Sequence, residues 1–301
     1  MSTRIPFLRS SAVQKNVSTL SVALGVKESI QPRLAYMQAI GLIQGWCHGL
    51  PPQKGPALLY HGDAKFSGLF EHFLASYDLP SLAPFAPVEV ASLAATVSEA
   101  LTLLASVDDD ARSTFDILVR ALLIVRIPAF GSLSDALGVV LAGPRADWSR
   151  LEVAELLWHE AVHQALFLTD LIEPLFTVAE SAPELLQEKI RNPLLGVDRP
   201  FDLAFHGVAV SVALLDLHLR AESYYRALEI FHTVEPSLDE LLSRRYLLTE
   251  RGSLILDEIR AALREITTEV GELAIRGALD GGGRPSRRSY LDLQQSWPGR
   301  A

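Results

Sequence analysis

The stretch Ser149–Asp170, SRLEVAELLWHEAVHQALFLTD, decides how the rest of the chain is read. Its apolar residues Val153, Leu156, Leu157, Val162, Leu166 and Phe167 recur at steps of three and four, the repeat of an amphipathic α-helix. Ser149 stands ahead of the run and Glu152 follows three residues later, the pattern of a capping box. Inside the predicted helix, His159, Glu160, Ala161, Val162 and His163 spell H-E-x-x-H. Four residues advance a helix by a little over one turn, so both imidazoles project from one face and can reach one metal ion. Glu160 lies close enough to act as a base or to orient a bound water. If these were merely buried core histidines, an apolar segment would carry two neutral imidazoles and a carboxylate with nothing to satisfy them.

Working outward, the 301 residues suffice for one large domain or two modest ones, and 49% apolar composition is ample for a core. The formal charge of −9 and a pI near 5.4 argue against a general nucleic-acid binder, which needs clustered Lys and Arg. Cys47 is the single cysteine, so intrachain disulfides, CxxC zinc sites and cysteine-held clusters are excluded, and a metal must be held by His and carboxylate. Met1–Lys15 lacks the pattern of a secretory signal, and no uninterrupted apolar run matches a bilayer span. Leu118–Ile127 is apolar but carries Arg120 and Arg126, which predicts a half-buried strand. The expected location is cytoplasmic.

The expected architecture is mainly α with a small antiparallel β-sheet, an α+β fold with the motif helix packed beside a strand pair. Residues 1–30 are polar and weakly periodic and are expected to form an arm. A single helical catalytic domain is expected over 31–280, with helices at Gln31–Cys47, Phe66–Tyr77 and Val88–Ser106 ahead of the acidic turn Asp108–Asp110. Between Phe115 and Ala142 the β-branched Ile117, Val119, Ile124, Val125 and Ile127, then Gly131, Ser132 and Leu137–Leu141, predict two strands joined by a loop. Such a pair sets a sheet edge beside the metal, where an extended peptide can add as another strand. Beyond the motif come a short helix at Pro183–Ile190, a loop at Arg191–Pro200 and a long helix at Phe201–Leu228. One or two more helices are expected in Ser237–Leu279, and the Gly- and Arg-rich residues 281–301 are expected to be a flexible tail.

Two histidines need a third protein ligand from elsewhere in the chain. His206 ranks first, because Gly207 beside it permits close approach of another backbone. His218 lies about 120° around the same predicted helix, amid Asp216, Arg220 and Glu222, in a more solvent-like setting. Glu222, His232 and Asp170 rank lower. Gln164 and Asp170 are candidate partners for the ligand histidines, and Trp158, Tyr224 and Tyr225 read as core or rim aromatics. Three ligands with open positions admit two chemistries. With zinc, Glu160 serves as general base of a metallopeptidase; with ferrous iron, the open positions take a keto-acid and dioxygen. A third possibility is a non-catalytic peptide-binding protein with a degenerate site.

The segment Arg120–Phe130 with Gly131 and Ser132, then Leu137–Val140, the Trp148-led helix with HEAVHQALFLTD, and Asn192–Pro193 through Asp198–Arg199–Pro200 to Phe205–His206–Gly207 together resemble a known family. It is the HExxH-motif family of peptide-modification proteins, regarded as iron- and 2-oxoglutarate-dependent peptide β-hydroxylases associated with ribosomally synthesised, post-translationally modified peptides. The resemblance spans roughly Phe115 to Arg226, a little over a third of the chain. It implies Fe(II) held by His159, His163 and His206, and 2-oxoglutarate held by Arg199, whose guanidinium suits a carboxylate. It also implies a ribosomal precursor peptide as partner. Where the family often has an arginine soon after the loop proline, Leu194 and Leu195 follow Pro193 here. Neither the modified residue nor the oligomeric state is legible.

Overall fold

The structure, a computed structural model, describes residues 3–26, 31–44, 55–60, 64–79, 85–126, 130–145, 147–178 and 182–275. Cys47 and the predicted tail at 281–301 lie outside the described residues. Chain contacts divide the protein into two compact units, the first built from Leu8–Leu168 and the second from Thr3–Phe7 with the described residues from Thr169 onward. The expected division had been one catalytic domain over 31–280.

The first unit contains α1 (Ser10–Ala23), α2 (Pro32–Gln44), β1 (Ala57–Tyr60), α3 (Ser67–Ser76), α4 (Pro87–Val107), α5 (Asp109–Leu118), β2 (Ala121–Ile124), β3 (Phe130–Gly131), β4 (Val139–Ala142) and most of α6 (Arg150–Ile172). The mainly helical fold with a small sheet is as expected from the sequence. Residues 10–23, expected within a loose arm, instead form a helix that buries Val13, Val17 and Leu20 and packs on α2 and α5. Their apolar spacing of three and four is the amphipathic repeat, hidden in the sequence by the many serines around it. Asp108 caps α5, its carboxylate accepting from the Asp110 and Ala111 N–H groups at 3.0 and 2.9 Å.

The sheet order is β1-β2-β4-β3. β1, β2 and β4 run parallel, and only the short β3 is antiparallel, with Phe130 opposite Ala142 and Gly131 opposite Leu141. The main sheet is therefore mixed where an antiparallel one was expected, because β1 comes from a segment far upstream and reaches β2 by a crossover through α3, α4 and α5. β2 and β4 are buried along their whole length, as parallel strands covered on both faces are. One layer of their core joins Ala57, Leu59, Ala121, Leu123, Val139 and Leu141 to Phe66, Phe70 and Phe73. Leu118–Ile127, expected as a half-buried strand, contributes the end of α5 and all of β2, and Arg120 is only 1% exposed.

The second unit contains α7 (Pro183–Gln187), β5 (Lys189–Arg191), β6 (Asp198–Pro200), α8 (Phe201–Arg220), α9 (Tyr224–Ser243) and α10 (Glu250–Ile275). The predicted loop at Arg191–Pro200 is in fact bracketed by the antiparallel pair β5–β6, with Ile190 opposite Arg199. The predicted helix Phe201–Leu228 is two helices, interrupted at Ala221–Ser223 where Glu222 adopts a left-handed φ of 55°. α8 is buried from Phe201 through Ala213 to Leu219 almost without a gap and packs on α9. Thr3–Phe7 is anchored in this unit: Arg4 pairs with Asp216 at 3.2 Å and with Glu269, and the Phe7 N–H donates to Glu258 at 2.9 Å.

Candidate metal centre

α6 begins as its sequence predicts. The Ser149 N–H donates to Glu152 Oε2 at 2.7 Å and the Glu152 N–H donates to Ser149 Oγ at 3.2 Å, the two halves of a capping box. A second device sets the helix on the sheet. Gln164, fully buried, accepts from the Gly138 N–H at 2.6 Å and donates to the Val139 carbonyl at 3.2 Å. Both backbone groups belong to the entry of β4, so the residue that follows His163 pins α6 to the central sheet. Gln164 therefore serves the fold here, where the sequence suggested a partner for the histidines. Asp170, the other candidate, accepts the Leu175 N–H at 2.6 Å just past the end of the helix.

With α6 held in this way, His159 and His163 direct their Nε2 atoms at each other, 3.1 Å apart, with ring centroids 4.9 Å apart. Metal–imidazole bonds of about 2.0–2.1 Å separate two nitrogens on adjacent tetrahedral or octahedral vertices by about 2.9–3.4 Å. The pair therefore has the span that one metal ion requires. His159 is 8% exposed and His163 half-buried and stacked on Phe167 at 6.0 Å. Burial holds the His163 pKa down to about 4. Burial, then the neighbouring His163, holds His159 well below its ordinary value against the opposing pull of Glu155. Both rings are thus neutral at physiological pH, the form in which imidazole ligates.

Glu160 completes the cluster. Among the described residues, the group of His, Cys, Asp and Glu side chains whose ligand atoms lie within 4.8 Å of one another comprises His159, Glu160 and His163. Glu160 Oε1 is 3.7 Å from His159 Nε2, and Glu160 Oε2 accepts from Ser132 Oγ at 2.6 Å. Burial raises the carboxyl to about 8, partly offset by the Ser132 bond. Ser132 follows directly on β3, and its carbonyl accepts from the Tyr77 hydroxyl at 2.9 Å. Tyr77 also lies where a side chain on Gly131 would stand, so this position is open only to glycine without displacing the tyrosine. Ser132 had no role in the sequence-level reading of the site. Its part depends on a contact across twenty-eight positions of chain that no local spacing announces.

The other predicted residues lie in the second unit. His206 is on the first half of α8, 4% exposed, with its ring 6.4 Å from that of Phe205. Gly207 beside it makes room for the Asn192 side chain, where another backbone had been expected. Asn192 in turn accepts the Leu194 and Leu195 N–H groups, each at 3.0 Å, which shapes the turn between β5 and β6. Arg199 is half-buried on β6. His218, expected in a solvent-like setting, is 2% exposed, and the neighbouring Asp216 is buried between Arg4 and Arg220. Glu222 and His232 are exposed. Trp158 is buried core, as expected, and Tyr225 is exposed at the start of α9.

The charge states make a pH prediction for the metal-free protein. A histidine whose folded pKa is depressed contributes stability present above its unfolded value, near 6.5, and lost as the pH falls towards about 4. Glu160 works in the opposite sense. Raised from 4.5 to about 8, it contributes stability present below 4.5 and lost as the pH rises through 8. Denaturant unfolding in chelator is expected to show maximal stability between about pH 6 and 7, and Glu160→Gln should flatten the alkaline limb. A stability curve that still rises from pH 7 to 9 would contradict this assignment of protons.

No protein-family model matches the chain, and no curated protein is significantly similar to it in sequence.

Proposed function

We propose that this chain is a metal-dependent enzyme acting on a peptide, and in particular an Fe(II)- and 2-oxoglutarate-dependent hydroxylase of a side-chain β carbon in a ribosomally made precursor. The observation that carries the metal is the neutral His159–His163 pair with its Nε2 atoms 3.1 Å apart. The choice of iron and of a hydroxylated peptide is supported by the resemblance of the segments around and after the motif to the HExxH peptide-modification family.

When bound, ferrous iron with 2-oxoglutarate and dioxygen supplies the oxidation of an unactivated C–H bond, with succinate and carbon dioxide as co-products. The chain's own residues supply binding and order. His159 and His163 hold the ion, and His206 is the third ligand implied by the resemblance. Arg199 is the guanidinium implied for the distal carboxylate of 2-oxoglutarate. Glu160, fixed by Ser132, stands beside the pair to hold a proton or a water. β3 is the last strand in its sheet and runs into Ser132, so an extended peptide pairing with its outer edge would pass close to Glu160.

One observation favours a second reading. A carboxyl beside the histidine pair also suits a zinc peptidase with Glu160 as general base. The two readings separate cleanly. Chain reconstituted anaerobically with Fe(II), then given 2-oxoglutarate, oxygen and a precursor peptide, is expected to add one oxygen atom to the peptide and release succinate in proportion. Peptide cleavage by the zinc-loaded chain, with no succinate from the iron-loaded one, would replace the first reading by the second.

A further inference from the structure

Arg120 stands between the end of α5 and the start of β2, and it has no role in the metal centre. Its backbone N–H donates to the Gly138 carbonyl at 2.7 Å. Gly138 has a left-handed φ of 79°, and a Cβ there would lie 3.0 Å from Arg120 Cγ and 2.9 Å from Ile40 Cδ1. The arginine stem is therefore packed against the entry of β4, and the whole residue is 1% exposed. At its tip, Nη2 reaches the Met37 thioether at 3.4 Å, while Nε and Nη1, both buried, have no hydrogen-bond partner.

That is a costly arrangement for a protein to keep. A guanidinium stays charged at every physiological pH, a thioether is a weak acceptor, and a buried charge is tolerated when an opposite charge or several acceptors meet it. No carboxylate among the described residues pairs with Arg120, whereas Arg4, Arg112, Arg220 and Arg245 each have at least one. We infer that Arg120 anchors a binding site for a small organic anion, a carboxylate carried on a short aliphatic stem. The planar fork of donors matches a carboxylate in a way that a spherical ion does not. Its apolar neighbours are the Met37 thioether at the tip and the buried Ile40 beside the Gly138 turn. The site belongs to the first unit and needs neither the metal nor Arg199.

The test is a thermal titration of the full chain carrying Arg199→Gln, in chelator, with succinate and glutarate as probes and inorganic phosphate as the comparison. A saturable rise in melting temperature is expected with the carboxylates. Arg120→Met should abolish that rise and at the same time increase the melting temperature of the ligand-free protein, because an apolar side chain replaces an unpaired charge. Arg120→Lys keeps the charge without the fork and should weaken the apparent affinity by about tenfold or more. The inference is overturned if no carboxylate gives a saturable shift, if the shift survives in Arg120→Met, or if phosphate alone produces it. Should the methionine variant not fold, unchanged affinity in Arg120→Lys overturns it equally.

Discussion

His159→Ala and His163→Ala are each expected to weaken divalent-metal binding by on the order of a hundredfold or more, and to remove the metal-dependent rise in melting temperature. The reason is geometric. The two Nε2 atoms sit 3.1 Å apart on one face of α6, the span that one ion requires, and among the described residues the cluster holds no further histidine to replace either. Metal at about a hundred times its dissociation constant stabilises a folded protein by about 2.7 kcal/mol. That stabilisation should be present in the parent chain and absent from both variants. Each substitution removes a largely buried ring, so the metal-free variants should melt somewhat below the parent from lost packing, and the comparison is the rise on adding metal within each variant. Competition against a chromogenic chelator measures the affinity, and melting with and without metal measures the linkage. Parent-like affinity in His159→Ala would show that the motif is not the metal centre.

Gln164→Leu is expected to do the reverse, lowering stability by about 2–4 kcal/mol with the histidines intact. Its amide reaches two backbone groups at the entry of β4, accepting from Gly138 at 2.6 Å and donating to Val139 at 3.2 Å. Leucine fills much of the volume but leaves the buried Gly138 N–H without its acceptor and the Val139 carbonyl without that donor. Denaturant unfolding should show a lower midpoint with an unchanged slope. Glutamate at the same position is no rescue, since it restores an acceptor for Gly138 but places a charge where the parent is fully buried. A loss below about 0.5 kcal/mol would mean that α6 is held to the sheet by its apolar face and not by this amide. The pair of experiments separates what binds from what positions, one residue apart on the same helix.

How much was legible in advance follows the range of each interaction. The capping box of Ser149 and Glu152, the helix expected at Val88–Ser106 and found at Pro87–Val107, and the one-turn spacing of His159 and His163 all depend on residues within a few positions of each other, and spacing alone carries each of them. The charges of Arg120 and Arg126 suggested a half-buried strand over Leu118–Ile127, because an isolated sequence gives no reason to bury an arginine completely. The acidic and basic residues around His218 suggested solvent for the same reason, yet Asp216 is buried precisely where Arg4 and Arg220 converge on it. The break between α8 and α9 rests on a single left-handed residue, Glu222, which carries no glycine or proline to mark it.

Helical geometry and binary patterning were enough to settle a mainly helical chain with His159 and His163 on one face of α6, since those rules act over one or two turns. The parallel pairing of β1 with β2, the bond from Ser132 to Glu160, the clamp of Gln164 on β4 and the burial of Arg120 were decided only when distant segments met. Each joins residues twenty-five or more positions apart or depends on a whole layer closing over a side chain, and chain entropy makes such meetings a property of the assembled core, not of any local pattern.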